Sequence, residues 1–331
     1  MYFPCFPKMD CNPSVGVFAP SSGVGHKLES FDRSLEILEN KGFTIYETAS
    51  VRTDNIRSAD ASVRGREFNE LVKKETLDIL ISASGGEFCF EMLEYIDFDS
   101  IREHPVWIAG ASDPTSILYY ITTALDIATI YGFNAGSFDG EPLHLFQQNA
   151  LSVLAGSIPV QHSFDLYDSC RDFSRSEFIT DADVFWYSSR DSISVNGRII
   201  GGCIDVLAGV MGTCYDRTTD FIDRYEGDGI IWYFDPFDMT PEQLYLTMYR
   251  FKYAGYFRST KLVIIGRVMF TNGRTDDEYE ELLHRLFDEL DIPFIFNADI
   301  GHVKPCMTII NGAMAAVECQ DGKGRISQEL K

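Results

Sequence analysis

No stretch of about 18 residues in this chain is apolar throughout, so no transmembrane helix is predicted. Positive charge is scarce as well: 28 Lys and Arg stand against 50 Asp and Glu, a formal net charge of −22. A surface of that sign repels nucleic acid and anionic membrane, and no basic tract reverses it locally, so neither is an expected partner. Of the eight cysteines (Cys5, Cys11, Cys89, Cys170, Cys203, Cys214, Cys306 and Cys319), none form a C-x-x-C pair. Most sit in apolar or mixed segments, which favours reduced thiols over a disulfide framework or a zinc site. No G-x-G-x-x-G follows the first predicted strand, and no G-x-x-x-x-G-K-[ST] occurs, so dinucleotide and triphosphate binding lack support. No H-x-x-x-H or H-E-x-x-H supports a metal centre. Neither cofactor nor metal is expected. Residues 1–14 carry one Lys and no long apolar segment, which does not read as a secretory signal, so a cytoplasmic location is expected.

What the chain has is apolar material, 45 % of 331 residues, enough for one large or two ordinary domains. The first half alternates. Strands are predicted at 15–20, 43–47, 77–82 and 106–109, and helices at 31–40, 64–74, 88–95 and 117–128. That alternation predicts an α/β fold, a parallel sheet with helices on both faces. Ligands of such sheets sit beyond the C-terminal strand ends, where the loops at Ser21, Gly85 and Ser112 would open together. Residues 132–168 lose periodicity and read as a crossing between domains. The expected boundary lies near 165, giving domains over 1–165 and 166–331. Residues 169–183 are polar and are expected to wrap the surface. Further strands are predicted at 197–202, 229–235, 262–266 and 293–297, with closing strands at 308–310 and 314–317. Helices are predicted at 204–211, 240–253 and 276–290, and a frayed polar tail from Gln320.

One stretch organises the chain: Val106-Trp107-Ile108-Ala109-Gly110-Ala111-Ser112-Asp113-Pro114-Thr115. It reads as a buried strand that stops at a small-residue turn and restarts as a helix, with Pro114 in the first positions, where a missing N–H costs nothing. A serine on such a turn points its oxygen out of the top of the sheet, beside N–H groups at a helix N-terminus. That layout suits a nucleophile with an oxyanion site. Ser and Asp before a helix are also ordinary caps, and Pro114 stands where a G-x-S-x-G elbow has its second Gly. Gly85-Gly86 likewise reads in two ways: as common turn glycines, or as backbone that lets an N–H approach a reacting carbonyl.

Ser112, Asp235 and His302 each end an apolar strand. A serine hydroxyl needs a base to take its proton, a neutral histidine serves near pH 7, and a carboxylate on the far imidazole nitrogen orients that base. Of the six histidines, His302 alone follows an apolar strand and a Gly. A hydrogen-bonded structural role for it stays open, and by position alone Asp235 reads more readily as a turn or cap residue ahead of the helix at Thr240.

These residues carry a resemblance. The chain resembles the LD-carboxypeptidase family of serine peptidases, which includes microcin C immunity hydrolases. It matches through Ala19-Pro20-Ser21-Ser22-Gly23, Ser84-Gly85-Gly86-Glu87 with Tyr95-Ile96-Asp97-Phe98, Gly110-Ala111-Ser112-Asp113, Gly201-Gly202-Cys203-Ile204-Asp205-Val206-Leu207 with Gly212-Thr213, the strand ending in Asp235, and Asp299-Ile300-Gly301-His302. The ordered set spans nearly the whole chain. The resemblance implies a Rossmann-like (flavodoxin-like) N-terminal domain holding the nucleophile, and a smaller, β-rich α+β C-terminal domain holding acid and base. The family's serine falls on Ser112 and its histidine on His302. Its glutamate falls on Asp235, one methylene shorter. The residue after Gly-Gly is often aromatic in the family, so Glu87 is expected to alter the pocket mouth.

The expected function is therefore that of a serine carboxypeptidase cutting the L–D amide bond of a murein tetrapeptide, with release of D-alanine during cell-wall recycling. Ser112 would attack, His302 act as base and Asp235 orient it. The N–H groups of Gly86 and Asp113, flanked by Gly85 and Glu87, would bind the oxyanion and substrate. A hydrolase of peptidyl-nucleotide amides, of the microcin C immunity type, and a lapsed binding protein for cell-wall peptides are the alternatives. A homodimer is implied by the resemblance. Arg267, after the strand at 262–266, and Lys304, just past His302, are the candidate cations for a substrate carboxylate, against a default reading of either as a solvated surface charge. Asp238 and Asp205 are the alternative acids.

Overall fold

Runs of β-branched and aliphatic residues bounded by small turns set the first sheet. The computed structural model describes residues 1–171 and 179–331. Its contacts divide the chain into two compact units: Met1–Ile158 with Thr308–Asn311, and Pro159–Met307 with Gly312–Lys331.

In the first unit the strands are β1 (Ser14–Phe18), β2 (Thr44–Glu47), β3 (Ile79–Ser82), β4 (Trp107–Gly110) and β5 (Thr129–Tyr131). They are parallel, in the order β2-β1-β3-β4-β5, and Ile309–Asn311 pairs antiparallel with β5. That is the flavodoxin-like order, whose direction reverses between β1 and β3. β3 and β4 are buried at every residue, as strands covered on both faces require. Helices Leu28–Asn40 and Ala61–Val72 cover the sheet by turning Phe31, Leu35 and Leu38, and Phe68, Leu71 and Val72, inward.

The predicted helix over 117–128 is shorter in the structure. An α-helix at Thr115–Tyr120 relaxes into a π turn at Ile121–Leu125 and stops at Asp126, whose φ of 62° is left-handed. The three residues of β5 follow. The stretch read as an aperiodic crossing contains the helix Leu145–Leu154, started by a capping box between His144 and Gln147.

The second unit is built on an eight-stranded sheet. Ser192–Cys203, Ile230–Asp235, Thr260–Gly266 and Phe294–Ala298 run parallel at its centre. Met314–Gln320, Lys323–Glu329 and Gln161–His162 add antiparallel on one side, and Tyr187–Ser188 on the other. The tail expected to fray is thus a paired strand. Helix Pro241–Tyr253 begins where the sequence places it, with Thr240 Oγ1 accepting the Gln243 N–H at 3.3 Å. In the polar stretch expected to wrap the surface, Ala182–Asp183 pairs with Leu166–Tyr167, while 172–178 lie outside the described residues.

Candidate active site

The first unit supplies a serine on a strained turn. β4 ends at Gly110, Ser112 takes a φ of 70°, and the next helix begins three residues later. A positive φ on a serine is uncommon and persists only where neighbours hold it. Here they do. The Ser112 N–H donates to Tyr131 Oη at 3.2 Å, and the Ala111 N–H donates to Asn134 Oδ1 at 3.0 Å. The helix ladder opens with the Thr115 N–H on Ser112 O and the Ser116 N–H on Asp113 O, which leaves the Asp113 N–H outside it. A Cβ at Gly85 would stand 2.9 Å from Ser112 Cβ and 3.1 Å from its Oγ, so the glycine lets that loop lie against the serine.

The three loops at the C-terminal strand ends are tied together. The Ser22 N–H donates to Gly85 O at 3.2 Å, the Phe88 N–H to Ser21 Oγ at 2.8 Å, and the Cys89 N–H to Asp113 Oδ2 at 2.8 Å. Beneath them the buried Arg64 donates to Pro20 O, to Phe88 O at 2.9 Å and to Glu91 at 3.1 Å. The Asp113 side chain is therefore a buried tie between loops. Burial pushes its carboxyl above the ordinary range, against hydrogen bonds from Ser21 and the Cys89 N–H. Gly86 and Glu87 lie exposed on the same loop edge, where Lys27 donates to Ser84 Oγ at 3.2 Å. Sequence reasoning missed Tyr131, Asn134, Arg64 and Lys27. Only the polarity of Asn134 after an apolar strand could have pointed to one of them.

The second unit supplies an acid and an imidazole. Ile230–Asp235 is buried along its length and delivers Asp235, 1 % exposed, to the strand end. Asp235 Oδ1 lies 2.9 Å from His302 Nδ1 and accepts the His302 backbone N–H at 3.2 Å. A proton on Nδ1 suits that contact and makes Nε2 the basic nitrogen. The Phe237 ring lies against the imidazole, with centroids 4.6 Å apart. Thr240 caps its own helix, so the carboxylate of Asp235 is turned to His302 and not to that cap.

The loop carrying His302 is anchored by Asp299. This buried carboxylate meets Arg267 Nη1 at 2.6 Å, and accepts the Trp186 Nε1–H and the Phe164 N–H, each at 3.0 Å. Arg267 is thus no solvated cation. It is 2 % exposed, paired, and set over the Tyr167 ring. Lys304 is half-buried, with Nζ 3.4 Å from Cys306 Sγ. Of the two alternative acids, Asp205 is engaged by the N–H groups of Phe237 and Asp238, and Asp238 is exposed and bonded to Asn272. Among the described residues, no group of three or more His, Cys, Asp or Glu side chains is placed to hold a metal. No helix among them is long and apolar enough to cross a membrane.

Both halves match family models. The LD-carboxypeptidase N-terminal domain matches residues 15–132, and the LD-carboxypeptidase C-terminal domain matches 196–317. The chain belongs to the LD-carboxypeptidase family. Within reach of this family, the microcin C7 self-immunity protein MccF of Escherichia coli is 24 % identical over 333 residues, covering 96 % of this chain and 93 % of that one. A solved structure of MccF in complex with aspartyl sulfamoyl adenosine superposes with a TM-score of 0.83 at 22 % identity, over 100 % and 99 % of the two chains. A muramoyltetrapeptide carboxypeptidase from Oxalobacter formigenes does so with a TM-score of 0.75 at 18 % identity, over 96 % and 99 %. These likenesses establish the LD-carboxypeptidase fold, an α/β parallel-sheet unit with a β-rich partner unit. Membership makes the chain a serine-peptidase-type hydrolase.

Proposed function

We propose that this LD-carboxypeptidase family member hydrolyses an amide in a small peptide or aminoacyl compound, with Ser112 as nucleophile, His302 as general base and Asp235 as the acid that orients it. The observation that carries the reading is the 2.9 Å contact between Asp235 and His302 Nδ1. The shorter acid reaches the imidazole directly, which supports a working base over a lapsed binding site. In the proposed reaction His302 Nε2 takes the Ser112 proton as Oγ attacks the carbonyl. The backbone N–H of Asp113, with that of Gly86, stabilises the oxyanion. The imidazolium then protonates the leaving amine, and water repeats the cycle on the acyl-enzyme.

The proposed substrate is the L–D bond of a murein tetrapeptide, with D-alanine as leaving group. A second reading, an aminoacyl-nucleotide amide, is favoured by the likeness to MccF, whose structure holds such a ligand. Both substrates are offered to the wild type, to Ser112→Ala and to His302→Ala, with release of amino acid measured and a fluorophosphonate probe used to label the serine. Labelling and turnover lost in both variants support the mechanism. Turnover retained in either overturns it. The better substrate by kcat/KM decides between the two readings. We also propose a homodimer, which light scattering tests against the 37.4 kDa chain mass.

A further inference from the structure

Asp205 stands in the first turn of the helix Ile204–Val210, and both of its carboxylate oxygens are engaged by one loop. Oδ2 accepts the Phe237 N–H at 2.9 Å and Oδ1 accepts the Asp238 N–H at 3.1 Å. These are the second and third residues after Asp235. From the other side, the Met269 N–H donates to Pro236 O at 3.1 Å and the Phe270 N–H to Phe237 O at 2.9 Å. The backbone of Phe237 is thus held through both its N–H and its C=O. Its ring is held too, 5.1 Å from the Phe270 ring at 79° and 4.6 Å from the His302 ring at 51°.

The contact with Asp235 holds the imidazole at Nδ1, and the Phe237 ring packs against the imidazole 4.6 Å away between centroids. An aromatic ring in that place restricts how the imidazole can turn. It also favours the cationic form, because a π face attracts positive charge. We infer that Asp205 and Phe237 are positioning residues for His302. Asp205 locks the loop, and the Phe237 ring orients the imidazole and stabilises the imidazolium as it forms. The inference rests on His302 being the base proposed above.

The first measurement is made without substrate. The His302 imidazole is titrated by NMR in the full chain, in wild type, Phe237→Leu, Phe237→Tyr and Asp205→Asn. Phe237→Leu is expected to move the imidazole titration to lower pH than in the wild type, because the ring packed against the imidazolium is gone. Phe237→Tyr keeps the ring and is expected to keep the wild-type titration. Asp205→Asn retains one acceptor oxygen and is expected to shift it in the direction of Phe237→Leu. On the better substrate, Phe237→Leu and Asp205→Asn are expected to lower kcat by about 10- to 100-fold, as displaced catalytic groups do, with KM within about twofold. A Phe237→Leu protein with wild-type titration and wild-type kcat overturns the inference. So does an equal loss in Phe237→Tyr. If Phe237→Leu does not fold, Phe237→Met removes the ring with less change of shape and is read by the same criteria. Because the titration needs no turnover, a wild type that cleaves neither substrate defeats the proposed function and leaves this measurement to decide the positioning role.

Discussion

Gly301 and Asp235 touch through the space a side chain would fill. A Cβ built on Gly301, whose φ is 107°, would lie 2.0 Å from Asp235 Oδ1 and 2.3 Å from its Cγ. The loop bearing His302 has therefore closed onto the carboxylate, and the His302 backbone N–H meets the same oxygen as Nδ1 does. The carboxylate reaches the imidazole directly, with the Gly301 backbone packed against it.

Gly301→Ala is the direct test. The added methyl and the positive φ both oppose the wild-type loop, so the carboxylate or the imidazole must shift. A displacement near 1 Å costs on the order of 10²-fold in rate. We expect kcat to fall by about that factor in a protein that still folds. Wild-type kcat in Gly301→Ala would show that the contact has no bearing on catalysis.

Tyr131→Phe probes the turn that carries Ser112. Tyr131 is 1 % exposed, and its Oη accepts the Ser112 N–H. Removing the oxygen leaves a donor on a strained turn without its acceptor, at a cost of about 1–3 kcal/mol in stability. Slower fluorophosphonate labelling of Ser112 should accompany the lower melting temperature. Labelling at the wild-type rate would mean that the turn holds its shape without the tyrosine.

How much of this was legible in the sequence differs by contact type. The strand ends near Ser112, Asp235 and His302 were readable because a polar residue follows each apolar run. β5 was not, since Thr129-Ile130-Tyr131 continues the apolar character of the preceding helix with no Gly or Pro between; the break is a backbone event at Asp126. The strand Lys323–Glu329 was hidden for another reason. Its inward residues are Gly324, Ile326 and Gln328, so only one of three is large and apolar, and the period-2 signal vanishes. Phe237 and Tyr131 act through contacts across the fold that local pattern does not encode.

The buried Asp113 predicts a pH dependence. Its folded carboxyl sits above the ordinary value because burial disfavours the charge. The folded state therefore holds that proton more tightly than the unfolded chain does. The stability gained from this is complete below the unfolded pKa and is lost as pH rises through the raised folded pKa. Asp113→Asn cannot ionise. The melting temperature of wild type minus that of Asp113→Asn should grow as pH falls from 7 towards 4. A difference that is flat or shrinks across that range would contradict the burial of an ionisable group here.

The pair Asp235→Asn and Asp235→Glu separates the acid's charge from its length. If Asp235 orients His302, the interaction strengthens as the imidazolium forms, so its loss acts on the chemical step and not on substrate binding. Asp235→Asn should lower kcat by roughly 10⁴, as the same change does in a comparable triad, with KM little changed. Restoring the family's glutamate would raise activity if the backbone stood where a glutamate needs it. The structure argues the reverse. Oδ1 already fills the space beside Gly301, Asp235 is 1 % exposed, and the imidazole is in direct contact at 2.9 Å. An extra methylene must push the carboxylate into the 301–302 backbone or drive the imidazole away, so Asp235→Glu should lose activity despite keeping the charge. A double variant that also lengthens the loop, by one residue inserted between Gly301 and His302, is the setting in which glutamate should recover some of the lost rate. If Asp235→Glu alone matches or exceeds the wild type, the loop is not closed onto the acid in solution, and the argument from Gly301 fails with it.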